Sequence, residues 1–328
     1  MDNICKKDLK LNMIDFNILE NPYYSKDYVS LYINEDSEIF EYSYEKDQKM
    51  FYTISIKRKI KDTSYFDLET AYGFGGYYVN CEDEEFVKEA INSYSEYCYN
   101  QNIVAEFIRF DPLNPFPYMY CNYLDFFKID REVVFVDLSL SEQERIKGYS
   151  STTRKKIKKR LVNTLIQKSY NYKDFIKLYY ETMRRQNADE FYYFNEGYFE
   201  KITSLEYCDL YGLYIENRPV SMGLFLKSKD VVYYHLGAHD ESYNKLNPTY
   251  HLFHEVFNIY SKQGYKMIIL GGGATPDPND KIFFFKTRFS KKTLPYYIGG
   301  KIFNKKVYNK LINLRDYKNN RFLRYRYE

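Results

Sequence analysis

Met267-Ile268-Ile269-Leu270-Gly271-Gly272-Gly273 is a wholly apolar run that stops at three consecutive glycines. A short apolar run bounded by turn residues reads as a buried strand, and the glycines mark its end. Upstream of it, Thr249 to Gln263 has helical periodicity, and before that the β-branched and aromatic run Val231 to Leu236 closes on Gly237. The same order of strand, glycine, helix and buried strand occurs in the first half of the chain. There a strand and a glycine-bearing segment ending at Gly76 precede an amphipathic stretch from Glu84 to Tyr99, and the run Ile103 to Phe110 leads into Asp111-Pro112. Gly76 to Arg109 spans 33 residues and Gly237 to Gly271 spans 34, and such matched spacing indicates an internally duplicated α/β unit.

Outward from these two units, strands are expected at Glu38 to Tyr44, Phe51 to Lys57, Val133 to Leu138, Leu210 to Ile215, Val220 to Leu226 and Tyr296 to Phe303. Helices are expected at Ser141 to Arg160, Tyr172 to Gln186, Gly197 to Leu205 and Lys305 to Leu314. Ser141-Glu142-Gln143-Glu144 reads as an N-cap with a Glu at the third helical position. The domain boundary is therefore placed after residue 140, giving domains at 1–140 and 141–312 and a basic tail at 313–328.

The composition, 45% hydrophobic and 28% charged over 328 residues, is that of a globular chain with room for two domains. No run is long and apolar enough for a membrane-spanning helix. Cys5, Cys81, Cys98, Cys121 and Cys208 have no CxxC spacing, which argues against a zinc site or a disulfide framework. Met1 to Lys10 is charged throughout with no apolar segment of a signal peptide behind it, so a cytoplasmic, bacterial-type protein is expected. The 40 tyrosines read chiefly as the product of an AT-rich genome.

Several segments carry chemistry. Arg154-Lys155-Lys156-Ile157-Lys158-Lys159-Arg160 holds six cations in seven residues, and the remainder of the chain nets to minus three. On a helix only the Ile157 face is free of charge, so the run belongs at the surface and suits a phosphate-rich partner or a solvated face. Arg315, Lys318, Arg321, Arg324 and Arg326, interleaved with Tyr317, Phe322, Tyr325 and Tyr327, read as a tail packing its aromatic rings. Glu69-Thr70-Ala71-Tyr72-Gly73-Phe74-Gly75-Gly76 puts backbone N–H groups within reach of a ligand, with Tyr72 and Phe74 as walls, yet matches no nucleotide-binding fingerprint. Gly271, Gly272 and Gly273 at a strand's carboxyl end leave the backbone open to a substrate. In Phe283 to Phe289, Lys286 and Arg288 are cations among aromatics, suited to a phosphate or carboxylate. The four histidines lie between 235 and 254 without an HExxH motif or a third ligand, so no metal site is expected.

Taken in order, eight segments resemble the Fem-type (FemABX-like) transferases of the GNAT superfamily, in particular a subgroup associated with cell-surface polysaccharides. They are Glu69 to Gly76, Phe107 to Asn114, Val136 to Ser139, Thr153 to Arg160, Tyr192-Tyr193-Phe194, Tyr234 to Gly237, Leu270 to Gly273 and Phe285 to Phe289. The likeness spans roughly residues 15 to 312. Where the family's first loop reads Thr-Pro-Tyr-Gly-Tyr-Gly-Gly-Pro, this chain has Ala71, Phe74 and Tyr77 in place of the first Pro, the second Tyr and the last Pro, which should loosen the loop.

The resemblance implies two tandem GNAT-like domains of α/β (α+β) class, each a mixed, mostly antiparallel sheet flanked by helices. It implies transfer of an acyl group from a thioester, acyl-CoA, to an amine of a nucleotide- or lipid-linked sugar or cell-wall precursor, a step of cell-envelope biosynthesis. Direct attack requires alignment of the substrates, one proton transfer and oxyanion stabilisation. Lys286 and Arg154 would then hold the acceptor's phosphates, with Arg288, Tyr193 and Gly75 as further substrate contacts. Gly271 to Gly273 would lie beside the reacting groups, and Tyr72 and Arg109 would line a companion cleft in the first domain. Tyr234, His235 and His239 are the candidate proton acceptors. The chain shows no Arg/Gln-x-x-Gly-x-Gly/Ala loop for a coenzyme A pyrophosphate. Two alternatives therefore stand beside acyl-CoA: aminoacyl transfer from aminoacyl-tRNA to a peptidoglycan precursor, and a non-catalytic binding protein on the same fold.

Overall fold

Two parallel strand pairs, each bridged by a helix, organise the chain. The computed structural model describes residues 17–114, 117–159, 161–313 and 321–326, so Cys5, Arg160, Arg315, Tyr317, Lys318 and Tyr327 lie outside the described residues. Two compact units result: one holds Tyr23–Asp130 with residues 295–326, the other holds residues 17–22 with Arg131–Leu294.

In the first unit, β1 (Ser37–Lys46) and β2 (Lys49–Lys59) form an antiparallel hairpin. Its turn residues Asp47 and Gln48 both have positive φ, as a two-residue hairpin turn demands. β3 (Phe66–Glu69) runs antiparallel to β2, and the short β4 (Tyr78–Val79) also pairs with β2. The helix Glu84–Asn100, capped by the Asp83 side chain, then carries the chain to β5 (Ile103–Arg109), parallel to β3. The helix buries Phe86, Val87, Ala90, Ile91, Tyr94 and Cys98, the i, i+3, i+4 stripe that its sequence foretells.

The strand β6 (Phe126–Asp137) passes from the first unit into the second at Arg131. There β7 (Thr164–Lys168), β8 (Cys208–Ile215), β9 (Arg218–Lys227) and β10 (Val231–His239) form an antiparallel series. The helix Pro248–Lys262 links β10 to the parallel β11 (Met267–Gly271), which pairs antiparallel with β6. Finally β12 (Thr293–Ile302) returns to pair with β5. Each unit is thus mostly antiparallel with one helix-bridged parallel pair, the mixed α/β architecture expected.

One expected element is corrected. The single helix at Ser141 to Arg160 is two helices, Glu142–Gly148 and Ser151–Lys158. Tyr149 adopts extended backbone between them, because its ring is buried against Phe289 and His254, and Ser150 caps the second helix through the Thr153 N–H. The edge strand β7 was not anticipated: Thr164–Lys168 mixes apolar and polar residues without clear alternation.

Tyrosines shape the first unit. The Tyr28 hydroxyl donates to the Tyr72 carbonyl at 2.5 Å and the Tyr24 hydroxyl to the Gly75 carbonyl at 2.6 Å. Gly73, at φ 103°, lies so close to the Tyr23 ring that a Cβ there would sit 2.5 Å from it. Tyrosine contacts therefore hold a loop that lacks the family's prolines. Deeper in, Ser55, Tyr77 and Tyr94 donate to the buried Glu106 carboxylate at 3.0, 2.7 and 2.9 Å. Burial nonetheless raises the Glu106 carboxyl to about 7. In the tail, Phe322 packs on Phe126 and Tyr308, Leu323 is buried, and Arg326 pairs with Asp67 at 2.7 Å. No helix among the described residues is long and apolar enough to cross a membrane.

Candidate functional site

The strand β11 is buried from Met267 to Leu270 and emerges at Gly271, whose φ of 78° lies in the left-handed region that favours glycine. A Cβ at this position would sit 3.2 Å from the Lys286 Nζ, a tight contact that the flexible lysine would have to relieve. The carbonyls that follow are clamped by long side chains. Lys286 Nζ donates to the Gly272 carbonyl at 2.7 Å, and Arg131 Nη1 donates to the Gly273 carbonyl at 2.7 Å. A Cβ on Gly272 would meet the Arg131 side chain at 2.7 Å, and one on Gly273 would meet Asp280 at 2.5 Å. The glycine run is thus what lets charged groups approach the backbone closely.

Asp280 joins this loop to the next helix. Its carboxylate caps Lys281–Lys286 by accepting from the Ile282 and Phe283 N–H groups at 2.8 and 3.0 Å. It also accepts from the Thr275 N–H at 3.1 Å and the Thr275 hydroxyl at 3.2 Å. On that helix Phe285 turns inward onto Tyr250 and Phe253, while Phe284 is exposed beneath the Arg288 guanidinium. Lys286 is buried, and no carboxylate among the described residues is within ion-pairing distance of it. Burial lowers its ammonium to about 7, against a partial opposing pull from Asp280 and a further push from Arg131. Such a lysine takes up its full charge beside an anion, and no described residue supplies one as an ion-pair partner.

Around it, the Tyr234 ring lies 5.8 Å from the Lys286 Nζ and packs against Phe225 and Phe253. Its hydroxyl extends over Gly237, where a Cβ would overlap it, and makes no hydrogen bond among the described residues. Burial raises the Tyr234 phenol, so it stays protonated. His235 instead shares a 2.7 Å hydrogen bond with the Tyr198 hydroxyl, and burial lowers its imidazole to about 3. His239 lies 3.3 Å from Arg185 Nη2 and is lowered by burial and by that cation. His254 meets Glu142 at 3.2 Å and Tyr149 at 3.4 Å.

The basic helix Ser151–Lys158 adjoins the Lys286 helix: the Ser150 N–H donates to the Arg288 carbonyl at 2.8 Å, and Lys156 Nζ lies 3.9 Å from the centre of the Tyr250 ring, which itself packs on Phe285. Arg154 donates through Nη1 to the Lys147 and Tyr149 carbonyls at 3.1 and 2.5 Å. Lys286, Arg288, Tyr234, Gly271, Gly272 and Gly273 are thus brought together with this helix in one unit. Tyr193 lies further along that unit, partly exposed and stacked on Tyr180. Tyr72, Gly75 and Arg109 belong to the other unit. There Arg109 donates to Glu69 at 2.5 Å and to the Thr70 carbonyl at 2.7 Å, and Glu69 also pairs with Arg58. Arg131 and Asp280 were not singled out in the sequence. Asp280 had a legible signal as an acid ahead of an apolar helical run, whereas Arg131 had none.

Residues 130–279 match the model of an acetyltransferase (GNAT) domain. Among solved structures, FemX superposes with a TM-score of 0.70 at 12% identity, covering 90% of this chain and 98% of its own. The C-terminal domain of a putative lysylphosphatidylglycerol synthetase from Agrobacterium fabrum gives 0.55 at 14% identity, over 83% of this chain and 85% of its own. L-PGS from Bacillus licheniformis gives 0.52 at 14% identity, over 85% and 90%. At such identities the likeness is one of fold. No curated protein matches the sequence.

Proposed function

We propose that this chain, a Fem-like protein of the GNAT superfamily, transfers an acyl or aminoacyl group to an amine on a phosphate-bearing acceptor. The observation that carries this reading is Lys286, a buried lysine at the carboxyl end of β11 without a carboxylate partner among the described residues. Ligands of open α/β sheets bind at that end of the strands.

In the proposed reaction the acceptor nitrogen attacks the activated carbonyl carbon directly. A carbon–nitrogen bond forms, the carbon–sulfur bond of a thioester donor breaks, and the proton lost by nitrogen ends on the departing thiolate. Lys286 and Arg154 hold the acceptor phosphate, and the N–H groups of Arg154 beyond Nη1 have no partner among the described residues. Tyr234 relays that proton: its hydroxyl, which has no hydrogen-bond partner among the described residues, donates to the leaving group and recovers the proton that the nitrogen loses. His235, committed to Tyr198 and lowered to about 3, takes a structural role. The nucleotide- or lipid-linked sugar or cell-wall precursor is the acceptor class this charge arrangement suits, and the cytoplasm is where such precursors meet activated donors.

A second reading for the donor has its own observation. The helix Pro248–Lys262 opens with a proline, which offers no N–H, and no glycine stands between His239 and Pro248. A helix start without a glycine cradle and short of one N–H is a poor seat for a pyrophosphate. This favours aminoacyl-tRNA, whose ester would replace the thioester in the same step. Mass spectrometry of ligands that co-purify with the protein, followed by transfer assays with acyl-CoA and with aminoacyl-tRNA, separates the two. Failure of both donors with phosphate-linked amine acceptors would leave the non-catalytic reading.

A further inference from the structure

Between Glu144 and Asp174 the sequence carries ten Lys or Arg and no Asp or Glu. The transfer reaction uses only Arg154 of these. Lys155, Lys158 and Lys159 are exposed and have no ion-pair partner among the described residues. This sets them apart from cations such as Lys168, which pairs with the buried Asp209 at 2.6 Å. The same segment leaves large apolar side chains in water: Val162 is 76% exposed, Leu165 50% and Tyr170 86%. Leu161 and Ile166, beside them in sequence, pack on the core, so the segment is anchored while its neighbours are presented outward. Leu165 lies on β7, which among the described residues is paired on one side only, to β8. Edge strands are commonly protected by charge, and an exposed leucine on one is a liability unless something covers it.

We propose that the segment from Lys155 to Tyr170 docks the protein on the surface of an anionic phospholipid bilayer. The lysines lie among the headgroups, and Val162, Leu165 and Tyr170 enter the interfacial layer. Basic residues interspersed with exposed apolar ones are the combination that holds a protein on such a surface, because Coulomb attraction and partial apolar burial add. A single-stranded nucleic acid would use the same lysines but would need aromatic faces for stacking. Two of the three exposed side chains here are aliphatic, which favours lipid. Tyrosine suits the interface, with an apolar ring and a polar tip.

The test is co-sedimentation of the full chain with vesicles of phosphatidylglycerol and of phosphatidylcholine, without donor or acceptor, so its outcome is separate from that of the transfer assay. Binding to the anionic vesicles alone is expected, weakening with salt. A charge-reversed variant, Lys155→Glu with Lys158→Glu and Lys159→Glu, should lose at least about tenfold in partitioning. Val162→Ser with Leu165→Ser should lose about threefold or more at constant salt. Because all five residues are exposed, melting temperatures should match wild type, and Tyr170→Ser provides an independent apolar variant. Equal binding to both vesicle types would overturn the proposal. So would full vesicle binding by both apolar variants, or tighter binding to an RNA that ignores those apolar substitutions.

Discussion

The ends of the two parallel strand pairs differ in how they treat charge. In the first unit β3 ends at Glu69 and β5 at Arg109, and these two form an ion pair that Arg58 reinforces. In the second, the equivalent strands end at His239 and Gly271, with no pair between them. Lys286 fills the space under Gly271 with a side chain whose hydrogen-bond acceptor among the described residues is a backbone carbonyl. One unit has its charges balanced internally, and the other leaves a charge for something else to balance. A balanced end serves the fold, whereas an unbalanced buried charge costs stability and is retained where it has work to do.

The largest effect expected from this contrast is on turnover. Lys286→Ala should lower transfer by about a hundredfold or more, the scale for removing a preorganised charge, and Lys286→Arg should not restore it. An unchanged rate in a purified transfer assay would break the assignment. In the other unit, Glu69→Ala should cost about 3 kcal/mol in denaturant unfolding by leaving Arg58 and Arg109 facing each other, with turnover changed far less. Next in size, Lys286→Met should raise the melting temperature. The folded-state pKa of Lys286, about 7, lies below its ordinary 10.5, so wild-type stability rises with pH across that window and the full penalty stands below it. The gain should be largest at or below neutral pH, by at least about 2 °C, and should vanish towards pH 10 to 11. The affinity of wild type for an inorganic phosphate probe should fall as pH rises through 7, and the variant should show no such fall. The smallest effect concerns Glu106, raised from 4.5 to about 7. Wild-type stability should decline between those values, because the carboxyl ionises in the unfolded chain while the buried one keeps its proton, and level off once the buried group ionises too. Glu106→Gln should flatten the decline when urea midpoints at pH 5 and 8 are compared.

Much of the fold was legible because it rests on local periodicity. The helix at Glu84–Asn100 and the strand at Met267–Gly271 follow from an apolar stripe and an apolar run, and the order of strand, helix and strand read in each half is the order of its parallel pair. The break at Tyr149 was hidden because the cause is a tertiary contact with Phe289 and His254. The strand β7 was hidden because edge strands need little alternation. At the site, Lys286 was legible as a cation among aromatics, but its lack of a carboxylate partner was not, since this depends on which residues the fold leaves away from it. Arg131 reaches Gly273 across a sequence separation that no local pattern encodes. The tyrosines were read mainly as codon bias. Those at 24, 28, 77 and 94 nonetheless donate hydroxyls to the glycine loop and to Glu106.

Phe284 stands exposed two residues before Lys286, with the Arg288 guanidinium 4.6 Å from its ring centre, in a chain that contains no tryptophan. Phe284→Trp would therefore introduce the protein's sole indole at the rim of the candidate site. Excited selectively against 40 tyrosines, its emission would report ligand arrival optically, before the chemistry of any donor or acceptor had been identified.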